Sequence, residues 1–225
     1  MADLVWERPE PPSRPAPTPL SRASIVRAAM DLADAEGLDA VSLRKVGAAL
    51  GAGPMRLYGY LATKEELLDL MVDEVYGEMT HPGTPGVRAA LRERAYQLRD
   101  AVRRHEWFAD LIGGRPQIGP NALATMEATL AAAGGAENPA FAWRSVGAVT
   151  AYAIGAVRQE VAEARAARTS GQDEHEWRRS VAPYLTRALA QYPTLAHVIG
   201  SGPDEDPDTT FTTGLNYLLD GIGGD

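Results

Sequence analysis

Cysteine is absent from all 225 residues. That excludes a disulfide framework, a thiolate nucleophile and a thiolate metal site. Histidine is scarce: His81, His105, His175 and His197 are scattered, without the i, i+4 ligand spacing of a zinc helix. No G-x-S-x-G elbow occurs, and neither His-Glu-Trp triplet extends to H-E-x-x-H. No apolar run approaches the roughly 18 residues of a membrane helix, so no membrane partner is expected. The first residues, MADLVWERPE, lack a basic region followed by an apolar core, so the reading is no signal peptide and a cytoplasmic location. Strand-like alternation is missing, and so is any repeat of roughly 20–50 residues. These gaps leave no signature of a metalloenzyme, a hydrolase or a secreted scaffold, and no cofactor is expected.

One absence is local. From Ala40 to Lys64 there is no Asp or Glu, while Arg44, Lys45, Arg56 and Lys64 give +4; the whole chain is −8. A basic island in an acidic protein is the electrostatic footprint of a polyanion partner. Apolar content of 45% and charged content of 23% are ordinary for a globular chain, so the acidity does not signal disorder.

The chain divides into three parts. Residues 1–19 carry Pro9, Pro11, Pro12, Pro15, Pro17 and Pro19 and read as a disordered, extended tail. Arg8, Arg14 and Arg22 give an alternative, an arm reaching a minor groove. Residues 20–66 form a compact unit. Residues 67–225 are rich in Ala, Leu, Arg and Glu and punctuated by Pro/Gly clusters such as GGRPQIGP and SGPDEDPD, which predicts an all-α fold throughout.

Within 20–66 the stretch SLRKVGAALGAGPMRLYGYLATK reads as helix, tight turn, helix. Ser21 caps a first helix that ends at Gly37; its apolar stripe is Ile25, Ala28, Ala29, Leu32 and Ala33. Ser42 caps a second helix, which stops at Gly51, a natural left-handed terminus. Pro54 opens a third, Pro54 to Leu61, burying Leu57 and Leu61. Thr63 caps a fourth, with Glu66 completing a capping box. Met55, Arg56, Tyr58, Gly59 and Tyr60 then share the outer side. Arg56 suits a bidentate contact with guanine and Met55 a thymine methyl. Ser42, Arg44, Lys45, Tyr58, Tyr60 and Lys64 carry donors for phosphate oxygens, and Gly59 leaves room for the backbone. GAGP is not a dinucleotide loop, because no strand precedes it.

Residues 20–79, with -G-L-D-A-V-S-L-R-K-V-, L-G-A-G-P and L-Y-x-Y-L-x-T-K-E-E-L-L, resemble the DNA-binding region of the Tet repressor family. The loop Ile112-Gly113-Gly114-Arg115-Pro116, the helix around Trp143 to Glu163 and the final FTTGLNYLLDGI are similar to its tetracycline-repressor type of C-terminal domain. The resemblance implies a homodimeric repressor that binds a palindromic double-stranded operator and leaves it when a small molecule binds. The family's drug- and magnesium-contacting histidine positions fall at Thr80 and at Leu111 or Ile112, which argues for an organic effector held without metal.

In the C-terminal part, Trp107, Phe108, Leu111, Met126, Trp143 and Tyr152 supply large apolar groups for a core or an effector cavity, with Arg115 and Glu127 placed at its rim. Gly147, Ala151 and Gly155 recur every four residues and share one helix face, which suits close approach of another helix. Phe211, Leu215, Leu218 and Leu219 on the last helix offer it a partner face. Two such helices from each subunit would build a four-helix dimer interface. The competing readings are a helical enzyme or small-molecule-binding module on the same fold, and an activator instead of a repressor.

Overall fold

The computed structural model describes residues 4–12, 20–79, 86–201 and 206–223. Every regular element among them is a helix. The first, α1 (Arg22–Glu36), starts where Ser21 and Ser24 cap each other reciprocally, and ends at Gly37 with φ +83°. A short 3-10 turn leads to α2 (Leu43–Ala49), capped by the Ser42 hydroxyl. Next come α3 (Pro54–Leu57) and α4 (Lys64–Gly77).

α3 is shorter than its sequence suggests. The chain leaves the helix at Leu57, and turn bonds from the Tyr60 and Leu61 amides to the Leu57 carbonyl close it. Leu57 and Leu61 are buried as expected. Each such side chain contributes about 1.5–3 kcal/mol of apolar burial, so two of them anchor a helix of four residues. Gly47 makes the turn possible: a Cβ there would lie 2.7 Å from the Ala52 carbonyl oxygen. Gly51, at φ +61°, supplies the left-handed residue. The capping box at α4 is displaced by one residue. Thr63 accepts from the Glu66 amide, but the Glu66 carboxylate accepts from Ala62.

The second part comprises α5 (Val87–Arg104), α6 (Phe108–Leu111), α7 (Pro120–Ala132), α8 (Pro139–Ser170), α9 (Glu174–Ala188), α10 (Pro193–Ser201) and α11 (Pro207–Ile222). α4 packs on α1 on one side and on α6 and α7 on the other, so one helix belongs to both parts. Asp73 of α4 is buried and accepts from the Asn121 and Ala122 amides at the start of α7. α8 is long and apolar enough to cross a membrane by length and composition alone. Its inward stripe, Val146, Val149, Ala153, Val157 and Val161, is buried within the chain, and α8 packs along α5 and α11. α9 and α10 bury none of their described side chains.

Two further expectations fail. The tail is not a free extension over 4–12. Val5 is buried in the core cluster with Trp6 packed beside it, Arg8 pairs with Glu66, and Glu10 accepts from the Arg22 amide. Proline forbids a helix there but not an extended strap, and Val5 and Trp6 provide the apolar area that holds one down. Arg22 donates to the Tyr60 carbonyl, so Arg8 and Arg22 both have partners within the unit. Arg14 lies outside the described residues. The second failure is in α11. Phe211, Leu215 and Leu219 are buried within their own chain, and Leu218 is half-buried against that core. Phe211 stacks edgewise on Tyr96, and Gly214 admits Tyr152, whose hydroxyl donates to the Phe211 carbonyl. The face meant for a second copy is filled by α5 and α8.

Candidate nucleic-acid interface and ligand groove

α3 presents its outer side to solvent. Met55 is 79% exposed and Tyr58 53% exposed, far more than large apolar groups usually are. Pro54 at the first helical position, Arg56 and Gly59 are exposed beside them. Arg44 on α2 and Lys64 at the start of α4 stand exposed on the flanking elements. Ser42 spends its oxygen on the Lys45 amide, which caps α2 and leaves the hydroxyl hydrogen to donate outward. Lys45 pairs with Glu36 at 2.7 Å, with both side chains about half exposed. Such a pair is worth little in water, so a phosphate could displace the carboxylate.

Tyr60 does not belong to this surface. It is 8% exposed, and its hydroxyl donates to the Leu20 carbonyl at 2.8 Å. The strap completes the burial: Pro11 and Pro12 flank Met55, Arg56, Gly59 and Tyr60. The two tyrosines, two positions apart, therefore do opposite things. Tyr58 faces out, and Tyr60 pins the end of α3 to the entry of α1.

The second site is a groove of about 480 Å³ along α8, closed at one side by α7 and the loop after α6. Trp143, Val146, Gly147, Thr150, Ala151, Ile154 and Gly155 line it from α8, and Met126 from α7. The small-residue stripe is thus the floor of a groove: nothing lies within 4 Å of a Cβ placed on Gly147 or Gly155. Trp143 is 67% exposed at its mouth. The Thr150 hydroxyl is buried there without a partner. Arg158 bounds the far end and donates to the carbonyls of Ala109 and Ile112, which fixes the loop carrying Gly113.

Several residues expected to line the cavity or its rim lie elsewhere. Trp107 is 2% exposed, and its indole N–H donates to Asp34 of α1, not toward the groove. Leu111 is half-buried against the core at the end of α6. Arg115 is exposed beside α4, where it offsets the raised pKa of Asp69; burial is the main cause of that rise and Glu66 adds to it. Glu127 is exposed on α7 without a place in the groove. Thr80 falls outside the described residues. Thr150 was missed in the sequence because a single threonine in a helix gives no signal of its own; only its neighbours reveal it as unpartnered.

Comparison with known proteins gives a consistent picture. Residues 25–71 match the family model described as bacterial regulatory proteins, tetR family. Residues 80–224 match the tetracyclin repressor-like C-terminal domain. The chain is similar to the HTH-type transcriptional repressor DrrR1 of Streptomyces coeruleorubidus, 38% identical over 98% of this chain and 83% of the relative. It is similar to an HTH-type transcriptional regulator of Saccharopolyspora erythraea, 37% identical over 97% of this chain and 90% of that one. Among solved structures it resembles ActR of Streptomyces coelicolor in complex with actinorhodin, at a TM-score of 0.75 and 27% identity, covering 91% of this chain and 97% of that one.

Proposed function

The chain belongs to the TetR family of bacterial transcriptional regulators, and from that premise we propose how its residues divide the work of a ligand-responsive repressor. α3 enters the major groove with Arg56 reading a base edge and Met55 and Tyr58 packing beside it. Arg44, Lys45, Lys64 and the Ser42 hydroxyl hold phosphates. The carrying observation is the exposure of Met55 and Tyr58 on α3 and the turn that follows it, a unit otherwise anchored by Leu57 and Tyr60. Surface of that kind is normally covered by a partner.

The α8 groove is the effector site in this reading. Its wall is apolar, with one aromatic plate at Trp143 and one unpartnered hydroxyl at Thr150. A flat aromatic molecule with a hydrogen-bonding oxygen fits that chemistry. A structural relative of this chain is solved with actinorhodin, which makes an aromatic compound of that kind the first candidate. Two copies meet over the outward faces of α8 and α11, where Ala148 and Tyr217 stay exposed, and together address a palindromic operator in the cytoplasm. Effector binding favours a conformation whose two α3 helices no longer fit successive grooves, and linkage requires DNA to weaken effector binding equally.

The test is a gel-shift assay with the DNA flanking the chain's own gene. Retarded DNA that aromatic effectors release supports the reading. DNA binding unaffected by Arg56→Ala, or ligand release unaffected by Trp143→Ala, would remove the respective site.

A further inference from the structure

α5 carries two arginines that are equally buried, at 2% exposure, and differently treated. Arg99 has a full set of partners. It meets Glu160 at 2.8 Å and Asp208 at 2.9 Å, donates to the Pro207 carbonyl, and lies over the Phe211 ring at 4.3 Å. Arg94 has none of the anionic ones. Its guanidinium stands 5.4 Å from the centre of the Tyr76 ring, and one terminal nitrogen lies 3.6 Å from the Met79 sulfur. Its Nε–H is buried and meets no acceptor. Among the described residues no Asp or Glu lies in ion-pair range of it.

A buried guanidinium cannot shed its charge, and burial without an anion is costly. A ring face and a thioether offset only part of that. The surroundings are also unusual for a helical core. Arg94 shares an α5 stripe with Gln97, and α7 faces α4 there with buried Thr125 and Thr129. The Thr125 hydroxyl donates to the Tyr76 carbonyl at 3.4 Å. A polar seam thus runs between α4, α5 and α7, with a fixed cation in it that has no counter-charge among the described residues.

We propose that Arg94 anchors an oxyanion of the effector, a carboxylate, sulfonate or ionised phenol, with the remainder of the molecule held by apolar walls. The assignment rests on the reading of the second part as an effector sensor and adds the ligand's charge; Arg94 is not among the residues that line the α8 groove, so this contact belongs to the seam between α4, α5 and α7. The planar fork of the guanidinium suits two oxygens of one such group, and the Tyr76 ring keeps it aimed.

Two fluorescent probes test this. Anilinonaphthalene sulfonate and the uncharged phenylnaphthylamine share an aromatic frame and differ in the sulfonate. The wild-type protein should favour the sulfonate. Arg94→Met should weaken sulfonate binding about tenfold, the size expected for loss of a charge-assisted hydrogen bond, and leave phenylnaphthylamine unchanged. Arg94→Lys should retain part of the preference. The ligand-free Arg94→Met protein should melt at or above the wild-type temperature, since an unpaired buried cation is gone. Equal losses for both probes, a lower melting temperature, or unchanged sulfonate binding would each overturn the proposal. No DNA is present in these titrations. An error in the repressor reading would show in operator binding and leave the probe comparison intact.

Discussion

The indole nitrogen of Trp107 donates to the Asp34 carboxylate at 2.6 Å. Asp34 sits near the end of α1, in the part that carries the helix-turn-helix; Trp107 opens α6, in the part that carries the groove. The His105 ring lies between the same Asp34, at 2.9 Å, and Glu78 beyond the end of α4, at 3.2 Å. Four side chains from three segments therefore meet at the junction of the two parts. Removing the bond should loosen that junction without emptying the core. A double-mutant cycle of Asp34→Asn and Trp107→Phe, read by urea unfolding, should give a coupling of about 1–2 kcal/mol. A coupling near zero would mean that the contact carries no energy.

Tyr58 and Tyr60 should separate in experiment. Arg56→Ala and Tyr58→Ala should leave the melting temperature near wild type, with Arg56→Ala weakening operator binding by about 1–3 kcal/mol and relaxing one base-pair preference per half-site. Tyr60→Phe should do the reverse. It strands the Leu20 carbonyl and costs about 1 kcal/mol of stability, while operator affinity of the folded protein holds. Duplex titrations across salt, paired with thermal melts, decide between these patterns.

The strap makes a prediction that a loose tail would not. Val5 is 3% exposed. Val5→Asp places a carboxylate in that site and should destabilise the fold by about 1–3 kcal/mol. An unchanged melting curve would show that residues 4–12 are not held in solution.

Gly155→Leu tests the α8 face. Its Cβ meets nothing within the chain, so the monomer should fold normally. A bulky group there should fill the groove and hold a second helix away, yielding monomers with poor operator affinity. Sedimentation reads the outcome. A stable dimer with an undiminished response to ligand would place both the seam and the effector elsewhere.

Acid should weaken the link between the loop before α6 and the end of α8. Burial opposes ionisation of Glu106, but hydrogen bonds from Arg165 and Arg168 outweigh it and hold the carboxyl below its ordinary value. A depressed folded-state value means that the contribution is present above the unfolded carboxylate range and fades as pH falls through the folded one. Glu106→Gln should remove this part of the acid dependence of the melting temperature and leave the neutral-to-alkaline limb in place.

Much of the N-terminal unit was legible because its signals are local. Ser21, Gly37, Ser42, Gly51, Pro54 and Thr63 each act on the residues beside them, and all six fall at helix ends as expected. Side-chain direction after a helix ends was not legible. Tyr60 looked like a continuation of the α3 surface, but the helix stops at Leu57 and the following turn rotates the ring inward. In the second part, periodicity showed which residues share a face but not what covers it. Phe211, Leu215 and Leu219 form a true stripe, and only packing shows α5 and α8 already on it. Trp107 was sized correctly as a large apolar group; its partner lies 73 positions away, at a distance no local pattern can reach.

α4 is continuous over 14 residues, from Lys64 beside the turn that follows α3 to Gly77 beside the His105 junction. At 1.5 Å per residue that is a rod of roughly 21 Å. Geometry then sets the scale of signalling. A tilt of about 6° pivoted at one end moves the other by roughly 2 Å, and in the proposed two-fold dimer the change in spacing between the two α3 helices would be twice that. Successive grooves lie about 34 Å apart, so on the proposed reading a tilt of that size would be enough to spoil the fit. The rod magnifies nothing in energy; it converts a small angle into a mismatch that stiff duplex DNA does not follow.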